Sequence, residues 1–248
     1  MMRRGLRWLL PGIAAYLVFL GATFPAAYAV RWLKPALAGI QLSDISGSVW
    51  SGQAQELVFD SVSLGAVRWS FDWRAPWTGR IGYHLQLDDG SLQLHGRADI
   101  GSGRQIVVHD LAGRVPLTRI DRWLPLPPNS INGLLQIDLT DLSVSNGLLQ
   151  SADGTVALSE TELNWPQHAL LGNYLMKVHT AQGIIGEIQD TGGPLILQAH
   201  AVLQSGRTYT VSGTLAARDA GSDAAHLLTY LGSPDQTGQY PFNFGGHL

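Results

Sequence analysis

The sequence predicts a mainly β protein carried on a single N-terminal membrane helix. Three observations lead there. Charged residues make up only 14% of the 248-residue chain against 45% hydrophobic, whereas an ordinary soluble domain is about a quarter charged. No residue from Trp8 to Val30 is charged. Beyond residue 40, apolar residues recur with period two in short runs bounded by turn residues, and helical periodicity nearly vanishes.

The uncharged run, WLLPGIAAYLVFLGATFPAAYAV, has 23 residues. At 1.5 Å per residue that is enough to cross a hydrocarbon core of about 30 Å. Arg3, Arg4 and Arg7 precede it, while Arg31 and Lys34 follow. The excess on the N-terminal side keeps the short start in the cytoplasm, and Trp8 and Trp32 stand where interfacial rings prefer to lie. Residues 1–7 are therefore expected in the cytoplasm, 8–30 as the anchor and 31–248 as an exported β-rich domain. Ala27-Tyr28-Ala29 also fits a signal-peptide cleavage pattern, so cleavage after Ala29 is the rival reading. The apolar run, however, exceeds the roughly 7–15 residues of a signal-peptide core.

Of the 16 basic residues, three precede the run, leaving 13 against 19 acidic in the exported part. A basic nucleic-acid surface is not implied. The chain has no cysteine, which excludes disulfides, thiolate metal sites and a cysteine nucleophile.

The elements follow in order. GSVWSG at residues 47–52 reads as the start of the first strand, with glycines that permit bends or close packing at its ends. Strands are expected at Glu56–Phe59, Ala66–Trp73, Gln105–Asp110, Leu134–Leu139, Thr155–Leu158, Tyr174–His179, Leu195–Leu203 and Thr208–Ala216. Between Ile81 and Ala98, Asp89-Gly90 predicts a two-residue hairpin turn. That turn sets Leu87 opposite Leu92, Leu85 opposite Leu94, Gln86 opposite Gln93 and His84 opposite His95. Asn146-Gly147 and Asp153-Gly154 are further turn candidates, the first placing Val144 opposite Leu149. Short helices are expected at Leu117–Leu124 and Ala224–Leu231, capped by Thr118 and Asp223.

These helices expose a duplication. The strand around Gly113 leads through LTRIDRWL to LLQIDL, and the strand around Gly213 leads through AAHLLTYL to YPFNF. Trp73 precedes a Gly-Tyr strand at 82–85, and Trp165 precedes the related 172–175. Two similar strand-rich units, 40–140 and 141–248, each with one short helix, are expected to share one sheet system.

Motifs for chemistry are missing. GSVWSG lacks the Gly-Lys-Ser/Thr ending of a phosphate loop, and there is no Gly-x-Ser-x-Gly elbow. His84 and His95 would offer only two imidazoles, short of the three or four ligands zinc needs. Glu160 and Glu162 could share a strand face as an acid/base pair, but a solvated face is the simpler account. The carboxylates Asp88, Asp89, Asp138 and Asp141 carry no further signal. The tryptophans Trp50, Trp69, Trp73, Trp77, Trp123 and Trp165 are expected to pack in the core or at sheet edges, with a partner surface as their functional alternative. No catalytic, cofactor-binding or metal-ligating residue is assigned, and the chain is read as a non-enzyme.

GSVWSG, VRWSFDW at 67–73, LGNY at 171–174, GGPL at 192–195, LLTYLG at 227–232 and a closing Gly-rich strand stand in this order behind one membrane span. In that order they resemble the type II secretion system protein N family (general secretion pathway protein N). One departure is Ala199, where glycine is expected. The resemblance implies an accessory single-pass component of the cell inner membrane, with its bulk in the periplasm. It would act by contact with other inner-membrane or secretin components in export of folded proteins across the outer membrane. No catalytic residue carries over. Two rival readings stand beside it. One is an envelope lipid-handling or scaffold protein with an apolar β-sheet groove, to which Leu85, Leu87, Leu92 and Leu94 contribute. The other is an anchored hydrolase using Glu160 and Glu162.

Overall fold

The computed structural model describes residues 16, 19–33, 39–60, 62–101, 105–121, 127–145, 147–165, 167–204, 208–219 and 221–247. One antiparallel sheet of fourteen strands holds nearly all of them: β1 Ile40–Ser43, β2 Ser46–Gly47, β3 Ser51–Phe59, β4 Val62–Asp72, β5 Ile81–Asp88, β6 Gln93–Ile100, β7 Gln105–Pro116, β8 Ile131–Ser145, β9 Leu148–Leu163, β10 Ala169–Thr180, β11 Ile184–Gly192, β12 Leu195–Leu203, β13 Thr208–Ala217 and β14 Tyr240–His247. Strands β3 to β14 are neighbours in chain order, β1 pairs with β3, and β2 is a side branch on β3. Among the described residues, β1 and β14 are the free edges. The helices are α1 Ala26–Leu33, α2 Leu117–Ile120 and α3 Asp223–Leu228.

The mainly β class is as the period-two runs predict. Strand β12 coincides with the expected span, β8, β9 and β10 run longer on both sides, and β3, β4, β7 and β13 run longer at one end. Position 140/141, the expected junction of the two units, lies inside β8.

Alternation sorts the two faces across the whole sheet. Ala54, Val67, Leu87 and Leu94 stand side by side on β3 to β6. The same row continues over Gly113, Ile137, Val156, Met176, Ile188, Ala199 and Gly213 to Phe242. The adjoining row, one residue along each strand, is polar: Gln53, Arg68, Gln86 and His95, later Lys177, Glu187, His200 and Ser212. One face is thus apolar from end to end and the other polar. Gly213 makes room in this row, because a Cβ there would lie 2.6 Å from that of Ala199.

The sequence-predicted hairpin forms with a different register. Leu87 faces Leu94, Leu85 faces Gly96, Gln86 faces His95 and His84 faces Arg97. The cause is the Asp89 carboxylate. Its Oδ1 accepts from the N–H of Ser91 (3.0 Å), the Ser91 hydroxyl (2.9 Å) and the N–H of Leu92 (2.7 Å), while Asp89 N–H donates to Leu92 O. The loop therefore spans Asp89 to Leu92. Displacement by two residues leaves every side chain on its expected face. Leu92, expected on the strand, is instead the loop residue buried completely beneath it.

Asp153-Gly154 is not a turn; both residues lie within β9. Gly154 sits at φ 144° against Leu139, whose Cα would lie 2.6 Å from an added Cβ. The register shifts there, between Leu139 and Asp141, so the glycine serves a bulge rather than a hairpin. Asn146 lies outside the described residues, but Val144 does face Leu149.

Helix forms at both expected places, and a 3-10 turn over Thr229–Leu231 continues α3 to the expected end. Helix α2 covers Leu117–Ile120, and residues 122–126 lie outside the described residues. Thr118 does not cap it, because Pro116 occupies that position and has no side-chain donor or acceptor to offer. Helix α3 starts at Asp223, not Ala224. Its cap is Ser222, whose Oγ accepts from Ala225 N–H, so Asp223 is the first helical residue rather than the cap.

Residues 8–15, 17 and 18 of the expected anchor lie outside the described residues. Among those described, no helix is long and apolar enough to cross a membrane. Helix ends at Thr23, whose N–H donates to Phe19 O, and α1 resumes after Pro25. Proline disfavours helix at the residue before it, and Pro25 instead bridges to Ser48.

Candidate functional site

GSVWSG closes the short hairpin of β2 and β3. Gly47 pairs with Gly52, and Ser48 N–H donates to Ser51 O at 2.9 Å. A Cβ on Gly47, at φ 91°, would lie 2.6 Å from Ser51 O, and one on Gly52 would lie 2.5 Å from Cζ2 of Trp69. The glycines therefore serve backbone approach and an overlying indole. Trp69 Nε1 donates to Ser48 O at 3.1 Å, tying β4 over the turn.

Trp50 opens an aromatic corner. It stacks on Trp73 with centroids 5.1 Å apart and meets Phe71 edge-on at 4.9 Å; Phe71 in turn meets Tyr83 at 5.4 Å. Burial pushes the Tyr83 hydroxyl above its ordinary pKa. Trp50 Nε1 donates to Gly21 O at 2.7 Å, and Val49 N–H to Phe24 O at 3.0 Å. The corner thus joins the sheet to the N-terminal segment. Core packing, one of the two places expected for the tryptophans, does not hold here: Trp73 is 66% exposed and Trp77 91%, and Trp165 is exposed as well. Trp73 precedes a 3-10 turn at Ala75–Thr78 that contains Trp77, with Arg74 and Arg80 beside it, all beyond the end of β4. Trp123 lies outside the described residues.

On the polar face, β4 to β8 carry a chain of opposite charges. Asp72 Oδ2 lies 3.9 Å from both His84 Nε2 and Arg97 Nη1. Arg97 Nε is 3.4 Å from Asp99 Oδ1, His109 Nε2 is 3.5 Å from Asp99 Oδ2, and His109 Nδ1 is 2.5 Å from Asp141. Asp99 is 5% exposed. Residues from five strands meet here, so no local motif announces the cluster. Beside it, a polar hollow of about 700 Å³ is lined by Arg68, His84, Gln86, His95 and Arg97. His84 and His95 border this hollow without facing each other. Among the described residues, no group of three or more His, Asp or Glu side chains is arranged to hold a metal ion.

Glu160 and Glu162 do not form the expected face-sharing pair. Glu160 has φ 53° and its N–H donates to Asn173 Oδ1 at 2.8 Å. A bulge at this point breaks the alternation between the two. Asp141 pairs with His109 as above, and Asp89 holds Arg119 of α2 across the sheet. Burial opposes ionisation of Asp89, but hydrogen bonds from Leu92 and Ser91 and the Arg119 guanidinium outweigh it and hold the carboxyl below its usual range.

On the apolar face, a hollow of about 260 Å³ opens between β8 and β13, lined by residues such as Leu139, Val156, Met176, Ala201 and Tyr209, with no charged side chain. Leu85, Leu87 and Leu94 belong to the same face further along. Helix α3 covers one end, burying Ala224 and Leu228 against Leu195, Leu215 and Tyr240. Arg218 ties that end by an ion pair to Asp190 and a 2.8 Å bond to Gly193 O. Burial first, and the nearby Asp190 second, push the Tyr174 hydroxyl up to about 12.

Residues 38–243 match the family model for the type II secretion system (T2SS), protein N. Type II secretion system protein N of Vibrio cholerae serotype O1 is 28% identical over 232 residues, covering 90% of this chain and 91% of that protein. Its counterpart from Aeromonas hydrophila is 27% identical over 243 residues, covering 95% and 96%. That of Klebsiella pneumoniae is 28% identical over 243 residues, covering 94% and 92%. No solved structure matches the chain. The matched range begins just before β1 and ends inside β14, so the sheet and the family are one unit, and the chain belongs to the type II secretion system protein N family.

Proposed function

We propose that this secretion component is an accessory single-pass protein of the inner membrane. The run beginning at Trp8 anchors it, residues 1–7 stay in the cytoplasm, and the sheet stands in the periplasm. It acts by protein–protein contact with other inner-membrane or secretin components during export of folded proteins, not by catalysis. The observation that carries this reading is the coincidence of the family match, 38–243, with a sheet that keeps two free edges. Free edges are templates for an added strand, and the exposed Trp73, Trp77 and Trp165 are suited to a partner surface. The units 40–140 and 141–248 are read as a duplicated strand–helix–strand framework that lengthens this surface.

A deletion strain, with the cargo enzymes assayed inside and outside the cell, tests the role. Cargo retained in the periplasm and released on complementation supports it; unchanged export under all growth conditions counts against it. Intact mass of the mature chain decides the anchor, since cleavage after Ala29 would remove it.

A second reading, contact with lipid through an apolar groove, is favoured by the uncharged hollow between β8 and β13. Lipid identified in the purified protein by mass spectrometry tests it.

A further inference from the structure

We infer that the hollow between β8 and β13 is a binding site for an acyl chain of a bilayer phospholipid. The inference deepens the lipid reading above and leaves the secretion role independent of it.

The sheet bends across β11, which lines the hollow through Ile184 and Gly186. Strands β10 and β12, separated by β11, come within 8 Å of each other at Cα, whereas two flat inter-strand steps would span about 9.5 Å. Small residues occupy the bend on the apolar face. Gly186 faces Ala201, and a Cβ on Gly186 would lie 3.1 Å from the sulfur of Met176. Larger side chains at 186 and 201 would fill the space that is left open.

Nothing else in the described chain covers this stretch. Helix α2 packs near Gly133, with Leu117 Cδ1 3.1 Å from where its Cβ would stand, and α3 packs on Leu195 and Leu215. The span between them is bare. Its walls offer no charged group and almost no polar atom, so ordered water has too few partners there. An open hollow of about 260 Å³ with so apolar a lining suits a hydrocarbon chain better than any polar solute.

The occupant is placed by the other end of the same face. The row that passes through Met176 and Ile188 begins at Ala54 on β3. Beside it, the Trp50–Gly21 and Val49–Phe24 bonds fasten the sheet to the end of the uncharged N-terminal run. Exposed Trp73 and Trp77 with Arg74 and Arg80 are the residue types that settle at a phospholipid headgroup surface. The apolar face therefore starts at the bilayer, and a membrane lipid is the nearest hydrocarbon to enter it.

The test uses the full chain reconstituted in phosphatidylethanolamine/phosphatidylglycerol vesicles doped with a phosphatidylethanolamine carrying a photoactivatable acyl chain. After irradiation, adducts are mapped by peptide mass spectrometry. Adducts on β9 to β12 are expected, reduced at least tenfold in Ala201→Trp and kept in His200→Trp, whose side chain lies on the polar face. Adducts elsewhere on the apolar face but not in the hollow would overturn this site and spare the lipid reading. Adducts confined to residues 1–38 would overturn both, as would undiminished labelling of the hollow in folded Ala201→Trp overturn the site. If Ala201→Trp fails to fold, the map of the unmodified chain and the smaller Ala201→Leu decide by the same criterion.

Discussion

Trp50 donates its indole N–H to the carbonyl of Gly21, 29 positions earlier in the chain, at 2.7 Å. The bond couples the β2–β3 turn to the N-terminal segment, and the stack on Trp73 fixes the ring that makes it. Because Trp50 is only half-buried, its removal costs less than that of a fully buried indole. Trp50→Phe keeps the stacking and should lose about 1 kcal/mol, one net hydrogen bond. Trp50→Ala loses the aromatic contacts as well and should cost about 2–3 kcal/mol. Chemical unfolding of both variants checks the order.

Gly213 and Ala199 are partners in close approach. Gly213→Ala would set two methyl groups 2.6 Å apart and should cost about 1–3 kcal/mol by overpacking. Ala199→Gly in the same chain should restore only part of this, because the carbonyl of Gln198 also crowds the added Cβ. A double-mutant cycle measures the coupling.

Asp89 ties the β5–β6 loop to α2 through Arg119. Its folded carboxyl has a lowered pKa, so its contribution is complete above the unfolded value, about 3.9. That contribution is lost as pH falls through the lower folded value. Asp89→Asn should cost about 2 kcal/mol at neutral pH and flatten the acid limb of the stability profile. A variant with an unchanged acid limb would show that other carboxylates set it.

Tyr174 gives the opposite limb. Its hydroxyl donates to Leu171 O at 2.6 Å and its pKa is pushed up to about 12. The unfolded tyrosine ionises first, near pH 10, so stability should fall as pH rises from there to about 12. Tyr174→Phe should lose about 1 kcal/mol at neutral pH and show a shallower alkaline decline, read by unfolding at several pH values.

Strand positions were legible because period two survives in segments such as Leu195–Leu203, where Leu195, Leu197, Ala199 and Ala201 alternate with Gln198 and His200. Turn chemistry was legible in type but not in length. Asp89-Gly90 announces a turn, yet only the reach of the Asp89 carboxylate to Leu92 sets the register. Gly154 shows the converse, since glycine beside aspartate serves a bulge as well as a hairpin. The Asp72–Arg97–Asp99–His109–Asp141 chain was invisible, because its members are spread over four strands and only pairing brings them together. Tryptophan exposure was misread for a physical reason: the ring carries both apolar area and a donor, so it serves core and interface alike.

Photo-crosslinking from the surface of this chain in intact envelopes tests the central claim most directly. With a crosslinker placed at Trp77 and at Phe244 on the edge strand β14, the account predicts capture of inner-membrane or secretin components of the type II machinery. Capture of none of these at either position, by a chain shown to be folded and membrane-bound, would contradict it.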